Sequence, residues 1–128
     1  MRVLLDTNRY VDLCRGDPDL QDQLSRVERI CLPFIALGEL RAGFGAGKRT
    51  QANERVLQRF LATPGVELLL ASEATTHHYA ALWLQLRRQG TPIPTNDLWL
   101  AALCVEHRLQ LLSRDRHFDH LPQIDRVG

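Results

Sequence analysis

The sequence predicts an α/β fold in which a central parallel sheet is covered on both faces by helices. Three features of the chain point there. Short, almost wholly apolar runs recur along it (RVLLD, RICL, VELLLA, LQLLS), as strands buried on both faces require. Between the runs lie stretches with apolar residues at helical spacing, punctuated by Gly and Pro. The length of 128 residues, with 45% apolar and 24% charged, suits one domain with one core. No repeat, low-complexity tract or linker interrupts the chain, so residues 1–128 are expected to form a single domain.

Arg2–Asp6 reads as the first buried strand, and the polar Asp-Thr-Asn that ends it reads as the N-cap of a helix over Asn8–Cys14. Gly16-Asp17-Pro18 breaks the chain, and Pro18–Val27 forms a second helix with Asp17 as its cap. Arg29–Leu32 is a short strand ended by Pro33. Phe34–Phe44 then has helical spacing, with Gly43, Gly45 and Gly47 expected to end it. Arg49–Leu61 is amphipathic and basic, and Thr63-Pro64-Gly65 closes it. Val66–Ala71 is the third strand, and Ser72 with Glu73 opens a long helix to Gln89. After the rigid loop Gly90–Pro94, Thr95 or Asn96 caps a helix from Asp97 to His107. Leu109–Ser113 is the fourth strand, and Gln123–Val127 could add a short edge strand.

Composition excludes several classes. The net charge of +1 points to neither a strongly basic nucleic-acid binder nor an enzyme for acidic substrates. Fifteen of the sixteen cations are Arg and only Lys48 is Lys. Arg is the better bidentate partner for phosphate, although a GC-rich genome gives the same bias. Arg41, Lys48, Arg49, Arg55 and Arg59 crowd one third of the chain, with Glu54 the only acid among them. That segment is either a solvated helix face or a surface for an RNA backbone or an acidic partner. Cys14, Cys31 and Cys104 form no CxxC pair and are expected to be reduced, buried hydrophobes. No stretch approaches the ~18 apolar residues of a membrane span. The apolar run after Met1 is too short for a secretory signal, so the expectation is a cytoplasmic protein without a membrane partner.

Ligands of such sheets bind beyond the carboxyl ends of the strands. Asp6 ends the first strand, and Asp115 follows the fourth with Asp119 nearby. Asp97 opens its helix, and Glu39 interrupts the apolar stretch IALGELRAGF, where a carboxylate is costly unless paired or bound to a metal. Each acid has a structural alternative. Asp6 and Asp97 could merely cap their helices, Asp115 could serve a turn, and Glu39 could pair with Arg41 or face solvent. Converging at one sheet edge, however, the four would repel one another unless protons were shared or hard cations bound, and oxygen ligands suit Mg²⁺ or Mn²⁺. Such an arrangement fits metal-assisted phosphodiester hydrolysis.

Four blocks together carry a family resemblance: LLDTN at Leu4–Asn8, ALGELRAG at Ala36–Gly43, PTNDLWLAAL at Pro94–Leu103 and LLSRDRHFDHLP at Leu111–Pro122. In that order and at this length the chain resembles a PIN domain, and within that family it is most similar to the VapC toxins of bacterial toxin–antitoxin pairs. The resemblance implies an α/β/α sandwich, Mg²⁺- or Mn²⁺-dependent ribonuclease activity, a homodimer, and inhibition by a small VapB-type antitoxin. Carried over by position, Asp6, Glu39, Asp97 and Asp115 match the family's four acids. Asp6 and Asp97 would be the principal metal ligands. Glu39 and Asp115 would bind through water, hold a second ion or orient the nucleophile. Thr7 and Asn8 match the polar pair after the first acid, where a hydroxyl could orient a carboxylate or the attacking water, and Ser113 matches a small hydroxyl residue.

Asp115 rather than Asp119 is expected to face the site, because side chains two apart in an extended segment share a face and Asp115 aligns with Ser113. Burial of Phe118 would turn the chain away, leaving Asp119 solvated or paired with Arg116. The alternative to an enzyme is a catalytically silent PIN-like module that binds RNA or protein. Other sites fail on their residues. A haloacid-dehalogenase-type phosphatase needs an acid where Asn8 stands. GFGAGK at Gly43–Lys48 has Ala42 and Arg49 at two defining positions of a phosphate loop. The lone Lys48 does not suit a response-regulator-like module. The five histidines offer no HExxH and no zinc set; His117 and His120 could approach an RNA phosphate near Asp115, but they read rather as surface polar residues. Trp83 and Trp99 read as core or dimer packing, with Phe34, Ile35 and Leu37 or Tyr79, Leu82 and Leu86 as further apolar faces.

Overall fold

The computed structural model describes residues 1–127. Four strands, β1 (Arg2–Leu5), β2 (Arg29–Pro33), β3 (Val66–Leu69) and β4 (Gln110–Leu112), form one parallel sheet in the order β3-β2-β1-β4. Six helices surround it: α1 (Thr7–Cys14), α2 (Pro18–Leu24), α3 (Phe34–Ala46), α4 (Thr50–Leu61), α5 (Glu73–Gln89) and α6 (Thr95–His107). A 3-10 turn over Arg116–His120 follows β4.

The apolar runs are explained by the two layers of helices. Side chains alternate across a strand, so Val3 and Leu5 of β1 join Leu32 of β2 and Leu112 of β4 in a core with Tyr10, Leu20, Ala36, Leu40 and Leu57, from α1 to α4. Leu4, Cys31 and Leu111 point the other way and pack with Leu82, Leu86, Leu98, Leu103 and Phe118, from α5, α6 and the 3-10 turn. A strand enclosed by both cores has no polar face to show. The predicted α/β/α sandwich with a central parallel sheet is the observed architecture.

Sheet order places the ligand end. From β1 the chain steps outward to β2 and β3, then crosses back to lay β4 on the other side of β1. The strand order therefore reverses between β1 and β4, where a crevice opens beyond the carboxyl ends. Leu5 pairs with Leu112, so Asp6 and Ser113 leave the sheet side by side.

Several boundaries differ from expectation. Helix α3 runs through Gly43 and Gly45 and stops only at Gly47. Both inner glycines are exposed and unhindered, and Phe44 between them packs against the core. Helix α6 begins at Thr95, with Pro94 at the N-cap and no side-chain cap, so neither Thr95 nor Asn96 caps it. Strands β3 and β4 are shorter than Val66–Ala71 and Leu109–Ser113. The tail contributes one parallel bridge, Leu111 with Arg126, rather than an edge strand. Cys31 and Cys104 are buried as expected, but Cys14 is exposed, because it lines an open groove with Thr7, Tyr10 and Glu39 instead of facing the core. Trp99 packs on Tyr79 with ring centroids 4.2 Å apart, whereas Trp83 is 43% exposed and carries Arg87 over its ring. Among the described residues no helix is long and apolar enough to cross a membrane.

Candidate active site

Asp6 stands at the reversal point. Its backbone N–H donates to Leu112 O, continuing the β1–β4 pairing by one bond, and its extended backbone turns the chain into α1. The carboxylate caps that helix by accepting the Arg9 N–H at 2.8 Å. The capping expected of Asp6 is thus real, and it fixes the carboxylate rather than exhausting it. Ser113, 3% exposed, hydrogen-bonds the same carboxylate while its Oγ accepts the Asp115 N–H at 3.0 Å. One small hydroxyl therefore ties the end of β1 to the loop after β4.

Glu39 projects from α3 toward the crevice. Its Oε1 accepts the Thr7 hydroxyl at 2.8 Å, and Asn96 Nδ2 reaches its Oε2 at 3.5 Å. The alternative partner, Arg41, is committed elsewhere, since it grips Glu54 through two bonds of 3.0 Å. Asn8, the other polar residue after Asp6, is exposed. Asp97 lies in the first turn of α6, where the amino end of the helix favours negative charge. Asp115 caps the 3-10 turn by accepting the His117 N–H at 2.9 Å.

Asp97 and Asp115 meet through an imidazole. His117 Nδ1 lies 2.8 Å from Asp97 Oδ2 and 2.9 Å from Asp115 Oδ1. Asp119 is turned away, 60% exposed and paired with Arg126 rather than with Arg116. The structure thus brings together Asp6, Glu39, Asp97 and Asp115, adds His117, and leaves Asp119 and His120 outside. The sequence alone makes His117 a surface residue in reach of Asp115 and does not place it between two acids. The only cue to it was position: a turn at a strand end places the second residue after a capping Asp back beside that Asp.

The electrostatics of the crevice are those of a site short of positive charge. Burial pushes the Asp6 carboxyl above its ordinary value, against the hydrogen bonds from Ser113 and Arg9, and the charge on Asp115 adds to the rise. Asp97 is raised by burial as well, in part offset by the His117 hydrogen bond and reinforced by Asp115 and Glu39. The bond to Asp97, together with the Asp115 charge, raises the His117 imidazole. Carboxylates that resist ionisation because they are desolvated and crowded gain from a cation. The donor atoms of Asp97, Asp115 and His117 lie within 4.8 Å of one another, so this cluster could hold a metal ion.

A family model for the PIN domain matches residues 3–124. The chain is 29% identical over 126 residues to Ribonuclease VapC4 of Mycobacterium tuberculosis (strain ATCC 25618 / H37Rv), covering 97% of this chain and 94% of that protein. It is 31% identical over 119 residues to Ribonuclease VapC1 of Haemophilus influenzae (strain R2866), with 90% and 87% covered. Among solved structures, VapBC2 from Rickettsia felis bound to a DNA fragment from their promoter matches with a TM-score of 0.88 at 26% identity, over 99% of this chain and 98% of that one. VapBC-1 from nontypeable Haemophilus influenzae matches with a TM-score of 0.89 over 100% and 98%, and at 24% identity it shows the fold alone. With the family model spanning nearly the whole chain and a relative above 30% identity across most of it, the chain belongs to the PIN-domain family.

Proposed function

We propose that the chain is a divalent-metal-dependent endoribonuclease, the toxin of a two-component toxin–antitoxin pair, held in check by a VapB-type antitoxin and acting as a homodimer. The observation that carries this reading is the gathering of Asp6, Asp97 and Asp115, with Glu39 beside them, at the point where the strand order reverses. The ribonuclease names of the relatives and the VapBC complex among the structural matches support the same substrate class and partner. The exposed Trp83 and Leu84 on α5 are apolar surface that a second copy could cover.

A bound Mg²⁺ or Mn²⁺ would lower the pKa of a water and offset the charge that develops on the phosphate. The chain supplies the frame. Asp6, held by Arg9 and Ser113, and Asp97, at the start of α6, offer the least hydrated carboxylates to the ion. Thr7 fixes Glu39 by donating to one of its oxygens, so the other can orient water or a second ion.

Incubating the purified protein with a mixed RNA pool tests the assignment. Cleavage is expected with Mn²⁺ or Mg²⁺, to stop with EDTA and to return on adding excess metal. RNA bound but uncut at every metal concentration would favour a silent binding module instead. A second experiment ranks the late acids. Asp115→Asn should lower cleavage by about 10–100-fold, the usual loss for a group close to a catalytic metal. Asp119→Asn should leave most activity, because its carboxylate serves Arg126 at the surface. The reverse ranking at matched Mn²⁺ would move the role to Asp119.

A further inference from the structure

The imidazole between Asp97 and Asp115 is more than a surface histidine that happens to pass the site. We propose that His117 is itself a ligand of the metal, so that this centre offers a nitrogen beside its carboxylates and prefers Mn²⁺ to Mg²⁺. This inference rests on the reading of the crevice as a metal site and deepens it.

Spacing supports it first. Two neighbouring ligands of an octahedral ion with bonds of about 2.1 Å stand about 3 Å apart. His117 Nδ1 lies 2.8 Å from Asp97 Oδ2 and 2.9 Å from Asp115 Oδ1, so the nitrogen already stands at ligand separation from both carboxylates. Three donors drawn from α6, the loop after β4 and the 3-10 turn are gathered at one point.

The anchoring of the ring is the second support. His117 donates its backbone N–H to Asp115 Oδ1, which fixes the start of the 3-10 turn. Phe118, the next residue, is 1% exposed and pins that turn against the core. The backbone beneath the imidazole is therefore held, while the ring itself stays 46% exposed and open to an arriving ion.

The chemical consequence follows from donor preference. Oxygen donors suit Mg²⁺ and Mn²⁺ alike, whereas Mn²⁺, as a transition-metal ion, accepts an imidazole nitrogen more readily than the harder Mg²⁺, which gains little from one. A mixed oxygen and nitrogen set should thus separate the two ions where an all-carboxylate set would not.

Electron spin-echo spectroscopy of the untagged wild-type protein loaded with Mn²⁺ tests this directly. Modulation from a directly bound imidazole nitrogen is expected, and it should vanish in His117→Gln while the Mn²⁺ signal persists. Competition titrations should show the Mn²⁺ dissociation constant rising about tenfold in the variant, with that for Mg²⁺ changing less than threefold. Mn²⁺ bound without nitrogen modulation overturns the His117 assignment and leaves the carboxylate site standing. Nitrogen modulation that survives in His117→Gln, or equal losses for both ions, also overturns it. If Mn²⁺ does not bind the wild type at all, both this inference and the metal-site reading fall. The spectroscopic arm needs no variant, so it decides even if His117→Gln folds poorly.

Discussion

Asp6→Asn is expected to reduce RNA cleavage to background while leaving the protein at least as stable as its parent. The two effects have one origin. Asp6 is 7% exposed, and burial raises its carboxyl above its ordinary value. A carboxyl raised in the folded state favours folding when protonated. That advantage is present at low pH and is lost as pH rises through the interval from the unfolded value to the raised folded one. At neutral pH the folded chain therefore carries the cost of a desolvated charge. Asn removes the charge yet keeps an oxygen that can accept the Arg9 N–H, and Asn and Asp are about equal as N-caps. The melting temperature should stay or rise by a few degrees. Cleavage should fall by more than about 100-fold, beyond the usual loss for a group that only supports a metal ligand. Adding Mn²⁺ gives an independent readout. A ligand that binds only the folded state raises its stability, so Mn²⁺ should raise the melting temperature of the wild type by more than that of the variant. Asp97→Asn should follow the same pattern with a smaller gain in stability, since Asp97 is less deeply buried. Full activity in both variants would remove these acids from the metal site.

The elements that the sequence revealed best are those with one dominant local cause. The strands were legible because burial on both faces leaves only apolar residues, as in Val3-Leu4-Leu5 and Leu111-Leu112. Asp17 was legible as a cap because Gly and Pro frame it, and its carboxylate accepts the Asp19 and Leu20 N–H groups. Where tertiary packing competes with a local signal, the packing decides. Two glycines at about 1 kcal/mol each did not end α3, because Leu40 and Phe44 continue its buried face. The acids of the site could be named because each sits at a strand end or in the first turns of a helix. Their partners could not. Asp119 pairs with Arg126 across a turn, Thr7 with Glu39 across 32 positions, and Arg114 with Asp12 across 102. Nothing in residue type fixes such pairs; the sheet order does, by bringing α1, α3 and the loop after β4 to the same edge.

Removal of Asp12, which holds Arg9 and Arg114 together, gives the largest expected effect on stability. Asp12 on α1 accepts Arg9 Nη1 at 3.0 Å and two bonds from Arg114, at 2.9 and 3.0 Å. Arg9 is 8% exposed, and its other carboxylate, Asp17, stands 3.8 Å away. Burial alone would raise the Asp12 carboxyl, but the Arg114 and Arg9 guanidiniums outweigh it and hold the group below its ordinary value. Removing one partner of a buried pair costs about 3–5 kcal/mol when the other charge is stranded. Asp17 remains near Arg9, so Asp12→Ala should cost less, about 2–3 kcal/mol, or about 10 °C in melting temperature for a chain of this size. Arg114→Ala should cost under about 1 kcal/mol, because that side chain is 57% exposed and its pair is screened by solvent. The pH dependence has a definite sign. A lowered carboxyl contributes stability that is complete above the unfolded value, here 3.8, and is lost as pH falls through the folded one. The gap in melting temperature between wild type and Asp12→Ala should therefore be constant from neutral pH down to about 5 and close at lower pH. Melting curves across that range decide it: a gap of less than 2–3 °C at neutral pH, or one that does not narrow in acid, would show that Asp12 does not hold Arg9 in place.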